Sequence, residues 1–134
     1  MSLDIYAEEL IYHYEHPSSK RAMKDATVSL EEQNISCGDV VKVHLKLKGD
    51  KVDDASFEGN GCVIAMGSAN MLMEHLKGKS IEHLEKMTKE DLLRIIKIEP
   101  GPVRLHCATL PLRAVKKAVL EYQHKQIDSA TKEL

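Results

Sequence analysis

The sequence predicts an α+β fold in which a small antiparallel sheet of two to three strands carries helices packed against one face. Two patterns lead there. Between residues 41 and 48, Val41, Val43, Leu45 and Leu47 alternate with Lys42, His44, Lys46 and Lys48. That is the period of a strand with one face on a core and the other in water. On both sides of it, apolar residues recur at helical spacing, the pattern of helices packed by one stripe. The order is helix, then strands, then helices, with no internal repeat. At 134 residues the chain fits a single domain, 1–134, whose residues 127–134 are expected to fray.

The first helix is expected over residues 3–15. Leu3, Tyr6, Leu10 and Tyr14 share a stripe, widened by Ala7 and Ile11, and Pro17 favours an end. His13 and His16 have a spacing compatible with a helical metal site, but with no third ligand nearby they read as polar side chains at a helix end. The polar and basic residues 18–27 read as a loop. Val28-Ser29-Leu30 begins a strand, and the strongest strand follows Ser36-Cys37-Gly38-Asp39. His44 falls on its solvated face. Gly49-Asp50 supplies a hairpin turn, and residues 51–57 return as an antiparallel strand with less regular alternation.

After Gly59-Asn60-Gly61-Cys62 the pattern becomes helical over residues 63–76, with Ala65, Ala69, Leu72, Met73 and Leu76 inward. Met66 and Met71 add adaptable bulk to the core, and Gly78 is a natural terminator. Ser80 caps a short helix over residues 81–87. Thr88 and Asp91 form a capping box ahead of Leu92, Leu93, Ile95 and Ile96. Pro100 and Pro102 make residues 98–104 irregular. The last helix is expected from about Thr109. Pro111 then falls in its first turn, where amide hydrogens have no helical partner. Leu112, Val115, Val119 and Tyr122 form its stripe, flanked by Ala114 and Ala118.

Composition excludes several function classes. A formal charge of -2 supplies no general attraction to nucleic acid or anionic membrane. With no Trp and one Phe, a base-stacking platform is poorly supported. No run approaches the roughly 20 apolar residues of a membrane helix, and Met1-Ser2-Leu3-Asp4 lacks the features of a secretory signal. The three cysteines cannot all pair within one monomer. Together these point to a cytoplasmic protein that uses thiols for ligation or chemistry.

All three cysteines stand where element types change: Cys37 ahead of the strongest strand, Cys62 and Cys107 ahead of helices. Glycines beside the first two let the backbone approach a bound centre, and a helix start stabilises a thiolate. Each cysteine alone also fits a small buried hydrophobe. The spacings of 25 and 45 residues match no short zinc-finger motif, so convergence does not follow from spacing. His106 reads equally as a structural imidazole, and Asp39 as a turn residue beside Gly38.

Four segments taken in order resemble the iron–sulfur cluster assembly scaffold family, the NifU N-terminal domain and IscU-like proteins. They are Tyr6 through Pro17 (YAEELIYHYEHP); Cys37-Gly38-Asp39; Phe57 through Cys62 with Ala65-Met66-Gly67-Ser68-Ala69; and Leu105-His106-Cys107 with Leu110. The resemblance implies a small antiparallel sheet with packed helices. It also implies a scaffold and carrier rather than an enzyme, one that assembles a [2Fe-2S] cluster from iron and desulfurase-derived sulfur and passes it to apo-proteins. By position, Cys37, Cys62 and Cys107 would be ligands, with His106 or Asp39 as the fourth. Zn2+ or Fe2+ would bind among the same five residues. Cys107 would be the persulfide acceptor, with Cys37 as second choice. The hard Asp39 carboxylate would keep the cluster labile.

The partners implied are a cysteine desulfurase and apo iron–sulfur proteins or carriers, with a frataxin-like protein or ferredoxin as further candidates. Glu8, Glu9 and Tyr12 on the first helix offer a docking face. IscU proteins usually carry a Leu-Pro-Pro-Val-Lys segment read by a specialised Hsp70 chaperone. Here Pro100, Gly101, Pro102, Val103 and Arg104 replace it, which argues against dedicated chaperone use. Val63 stands where the family commonly has Gly. The SufU-like branch, zinc-binding sulfur acceptors for a desulfurase, is the alternative. It usually has an insertion between the second and third cysteines and lacks the His before the third. His106 and the compact interval here favour the scaffold. A zinc-dependent hydrolase would need an open coordination position and a base. Glu58 lies near Cys62, but no H-E-x-x-H signature is present.

Overall fold

The computed structural model describes residues 2–123. The fraying expected for 127–134 lies outside the described residues, as do the side chains of Leu3 and Tyr6. The element order is α1 (Ser2–Glu15), β1 (Val28–Asn34), β2 (Asp39–Lys48), β3 (Lys51–Asn60), α2 (Val63–Leu76), α3 (Ile81–Lys86), α4 (Lys89–Ile96) and α5 (Pro102–Tyr122). The three strands form one antiparallel sheet in the order β1-β2-β3. Helices α2 and α5 pack on it, and α1 packs on α2.

The alternation in β2 does what its period requires. Val41, Val43 and Leu45 are fully buried, facing the helices. The alternation ends at a register shift: Lys46 pairs with Asp54 but Leu47 with Val52, which leaves Asp53 as an extra residue in β3. That extra residue explains the irregular pattern of β3, whose inward residues are Val52, Ala55 and Phe57. It also explains why Leu47 is only half-buried. Phe57 is the chain's single phenylalanine and is fully buried. Its truncation to Ala would cost about 3–5 kcal/mol.

Helix α2 is apolar nearly all round because it is the central element, between the sheet, α1 and α5. Small residues let α1 approach. A Cβ at Gly67 would lie 2.8 Å from both the Leu10 carbonyl oxygen and its Cδ1. Leu10 is accordingly the buried anchor of α1. Ile11 and Tyr14, expected on the same inward stripe, are instead 44% and 40% exposed. The contact is narrow because α1 meets one helix rather than a groove between two.

Below α2, Ser80 caps α3, and Thr88 and Asp91 form the expected capping box of α4. Lys116 on α5 donates from Nζ to the carbonyls of Glu85 and Met87 at 2.8 and 2.7 Å, tying α3 to α5.

The start of α5 differs from expectation. Residues 102–108 are helical, not irregular. Gly101 is the N-cap and Pro102 opens the helix, where its fixed φ suits helix and its missing N–H has no bond to lose. Pro111 therefore lies well inside α5. It cannot donate to the carbonyl of Cys107, four residues back.

His44 differs too. It is 4% exposed rather than solvated. Its cross-strand neighbours are the small Ser29 and Ser56. The ring bridges Ser29 Oγ and Glu58 Oε1, each at 2.7 Å.

Candidate metal centre

Asn34 and Asp39 are paired residues at the ends of β1 and β2, so residues 35–38 form a tight connection. Gly38 closes it at φ +74°, with its N–H donating to the Asn34 carbonyl at 2.8 Å. Cys37 is held exposed on this connection. Asp39, by contrast, is only 2% exposed.

Asp39 is fixed by the chain that arrives from β3. Its Oδ1 accepts the Cys62 N–H at 3.0 Å, and its Oδ2 lies 3.9 Å from Cys62 Sγ. Gly61 passes so near that a Cβ there would lie 2.7 Å from Asp39 Oδ1. Cys62 is the N-cap of α2, where its Sγ accepts the Ala65 N–H at 3.4 Å.

Cys107 enters from α5. It is fully buried, with its Sγ 3.4 Å from Cys37 Sγ. Asn34 Nδ2 donates to the same sulfur at 3.7 Å. Burial, followed by hydrogen bonds with Asp39 and Cys37, pushes the Cys107 thiol above the ordinary range. Metal-free Cys107 is therefore a protonated thiol at neutral pH.

Ligand atoms of Cys37, Asp39 and Cys107 all lie within 4.8 Å of one another. Two thiolates on one tetrahedral ion, at about 2.3 Å each, stand roughly 3.8 Å apart. The observed 3.4 Å sulfur separation is close to that and far beyond a disulfide bond. All three cysteines are free. Two soft thiols, a carboxylate and a flanking third thiol are a donor set for zinc or iron–sulfur chemistry. Cys37, Asp39 and Cys107 thus form a cluster capable of coordinating a metal ion, with Cys62 alongside.

His106 is exposed and does not share this set, although its neighbour does. Consecutive helical residues point about 100° apart, and Cys107 takes the inward direction. Arg104 was not singled out by the sequence as a site residue. Its guanidinium interacts with the Cys62 and Cys107 sulfurs, and the Cys62 charge raises its pKa. One helical turn before Cys107, it supplies a cation that offsets the negative charge of gathered thiolates. The signal was there in the spacing Arg104 to Cys107, once the segment is known to be helical. Asn34 carries no comparable signal, since only the packing of α5 on β1 brings it to Cys107.

The comparisons with known proteins agree with this geometry. The family model of the NifU-like N terminal domain matches residues 5–129. The chain is 34% identical over 132 residues to the zinc-dependent sulfurtransferase SufU of Bacillus subtilis, covering 86% of this chain and 89% of that protein. It is 35% identical over 126 residues to the iron–sulfur cluster assembly enzyme IscU of Drosophila melanogaster, covering 91% and 80%. Among solved structures, a candidate iron–sulfur cluster assembly scaffold for the SUF system of Fervidobacterium islandicum superposes with a TM-score of 0.72 at 25% identity, covering 89% and 99%. No helix among the described residues is long and apolar enough to cross a membrane. The chain belongs to the NifU-like N-terminal domain family, the scaffold and carrier proteins of iron–sulfur cluster assembly that include IscU and SufU.

Proposed function

We propose that this protein assembles a [2Fe-2S] cluster on Cys37, Cys62 and Cys107, with Asp39 or His106 as the fourth ligand, and passes it to apo-proteins. The observation that carries this reading is the meeting of Cys37, Asp39 and Cys107 within 4.8 Å, with Cys62 bonded to the same carboxylate. The cluster is cargo, and the chain's own part is to receive sulfur, hold and release.

Sulfur arrives as the persulfide of a cysteine desulfurase. A thiolate here attacks the outer sulfur, the S–S bond of the desulfurase persulfide breaks, and the desulfurase leaves as a thiolate. Cys107 is the proposed final acceptor, yet it is buried and protonated, whereas Cys37 is exposed. Sulfur therefore reaches Cys107 through Cys37: the Cys107 sulfur attacks the outer sulfur of a Cys37 persulfide across the 3.4 Å gap, and Cys37 leaves as a thiolate. Conversion of the bound sulfur to sulfide needs two electrons, the role of a ferredoxin partner. Tyr12, 58% exposed beside exposed Glu8, supports α1 as a docking face for the desulfurase. Free thiols support a reducing, cytoplasmic setting.

A zinc-dependent sulfur relay is the second reading. It is favoured by the 34% identity to the Bacillus subtilis sulfurtransferase and by a donor set that fits one ion. Anaerobic incubation with iron, cysteine and a cysteine desulfurase separates the two. A stable brown chromophore with two irons per chain is expected. Tight zinc, no chromophore and stimulated desulfurase turnover would overturn the scaffold reading in favour of the relay.

A further inference from the structure

We propose that His75 and His83 form a second metal site, remote from the thiols, for a divalent transition ion that favours imidazole. His75 lies in the last turn of α2 and His83 on α3. Their Nε2 atoms face each other at 3.1 Å, with the ring centroids 5.3 Å apart. Two imidazole nitrogens on one tetrahedral ion, at about 2.0–2.1 Å each, stand roughly 3.3–3.4 Å apart. An adjustment of a few tenths of an ångström turns the pair into a chelate. Without an ion, the Nε2–H of one ring donates to Nε2 of the other.

The pair is not packed in the core. It lines a cavity of about 260 Å³, walled on the far side by Asp91 and Ile95 of α4 and by Met87. That space leaves room for solvent to complete the coordination sphere. Neutral imidazole suits zinc, copper and nickel, and hard cations such as Mg2+ do not favour it. The charges around the cavity are largely balanced. Lys86 pairs with Glu82 at 2.6 Å, and Arg94 with Asp91 at 3.3 Å. Lys79 acts on His75 from the α2–α3 turn, opposed by Asp91. Asp91 lines the cavity, although its carboxylate already accepts the Thr88 N–H of the α4 cap.

His75 ends α2 and His83 sits on the short α3, with a turn between them, so a bound ion would tie the end of α2 to α3. The site stands whichever cargo the thiol centre holds.

The test is a zinc titration of the whole chain after one equivalent has filled the thiol centre. A competing chromophoric chelator reports affinity, and ring-nitrogen NMR reports the ligands. The expected result is a second equivalent that shifts Nε2 of both His75 and His83. His75→Gln and His83→Gln should each weaken that equivalent by about tenfold or more and leave the first unchanged. Should either variant fail to fold, the ring-nitrogen shifts of the unaltered protein still decide. No second equivalent up to about 1 mM zinc, or one that leaves both Nε2 signals in place, would overturn the site and leave a hydrogen-bonded pair only.

Discussion

The Sγ atoms of Cys37 and Cys107 lie 3.4 Å apart, although the residues are 70 positions apart in the chain. One sulfur is exposed and the other buried. The two thiols of a single centre therefore differ in access, and burial pushes the Cys107 thiol up, which makes its chemistry separable.

Alkylation of the metal-free protein should show this directly. Cys37 is expected to react with iodoacetamide first. Cys107 should lag by at least about tenfold near pH 8.5, because burial and neighbouring hydrogen bonds keep its thiol protonated there. The lag should shrink only as the pH rises further, since a raised pKa leaves little thiolate in the ordinary range. Mass spectrometry of the labelled peptides reads the order. Equal rates at pH 8.5 would contradict the assigned burial.

Gly61→Ala tests how Asp39 is held. The new Cβ would press on the Asp39 carboxylate at 2.7 Å, so the carboxylate or the approach to Cys62 must shift. Zinc affinity should fall about tenfold, with a modest loss of thermal stability. By contrast, Gly59 has φ +151° and lies against the Val40 carbonyl oxygen, where a Cβ would come within 2.1 Å. Gly59→Ala should destabilise the hairpin by more than about 1 kcal/mol. Chelator competition and thermal melts on the two variants distinguish them.

Asp39→Ala addresses the lability of the cargo. A hard carboxylate is a poor match for an iron–sulfur centre, so its removal should lengthen cluster lifetime and slow transfer to an apo-acceptor. The decay of the visible chromophore and the rate of its appearance in the acceptor are the readouts. If neither changes, Asp39 has no part in release.

Much of the fold was legible in the sequence, whereas the meeting of Cys37, Asp39 and Cys107 did not follow from their spacing, because it depends on long-range packing. The alternation of Val41, Val43 and Leu45 and the cap pair Thr88 and Asp91 act locally, so their patterns carried through to the structure. The Pro100-Gly101-Pro102 segment misled because proline breaks a helix interior but starts a helix well. That error placed Cys107 before α5 rather than within it and hid the one-turn relation of Arg104 to Cys107. His44 read as solvated because alternation says which face a residue takes. It does not say that Ser29 and Glu58 will stand ready across the strands.

His44→Ala follows from that difference. It leaves Ser29 and Glu58 without their shared ring and opens a buried site, at a cost of about 1–3 kcal/mol. Metal affinity should stay within about twofold, since His44 touches none of the four site side chains. Denaturant unfolding beside zinc competition measures both.

Acid should weaken the α4 cap. Hydrogen bonds from Thr88, backbone first, hold the Asp91 carboxyl below its usual value. A depressed carboxylate contributes stability above its unfolded pKa, near pH 3.9, and loses it as pH falls through the folded value. Asp91→Asn should therefore show a smaller loss of Tm below about pH 4 than the unaltered protein. Thermal melts across that window check it, and identical acid profiles would remove Asp91 from the account.

In the proposed function, the gathered cysteines hold a cluster in order to give it away. Its most direct test is transfer from the anaerobically reconstituted protein to an apo-ferredoxin, followed by the acceptor's own spectrum. The holo-ferredoxin signal should appear stoichiometrically as the scaffold's chromophore disappears, and no signal should come from a chain lacking Cys37, Cys62 and Cys107. A cluster that forms and stays on this protein, or ferredoxin filled equally well without it, would contradict the claim.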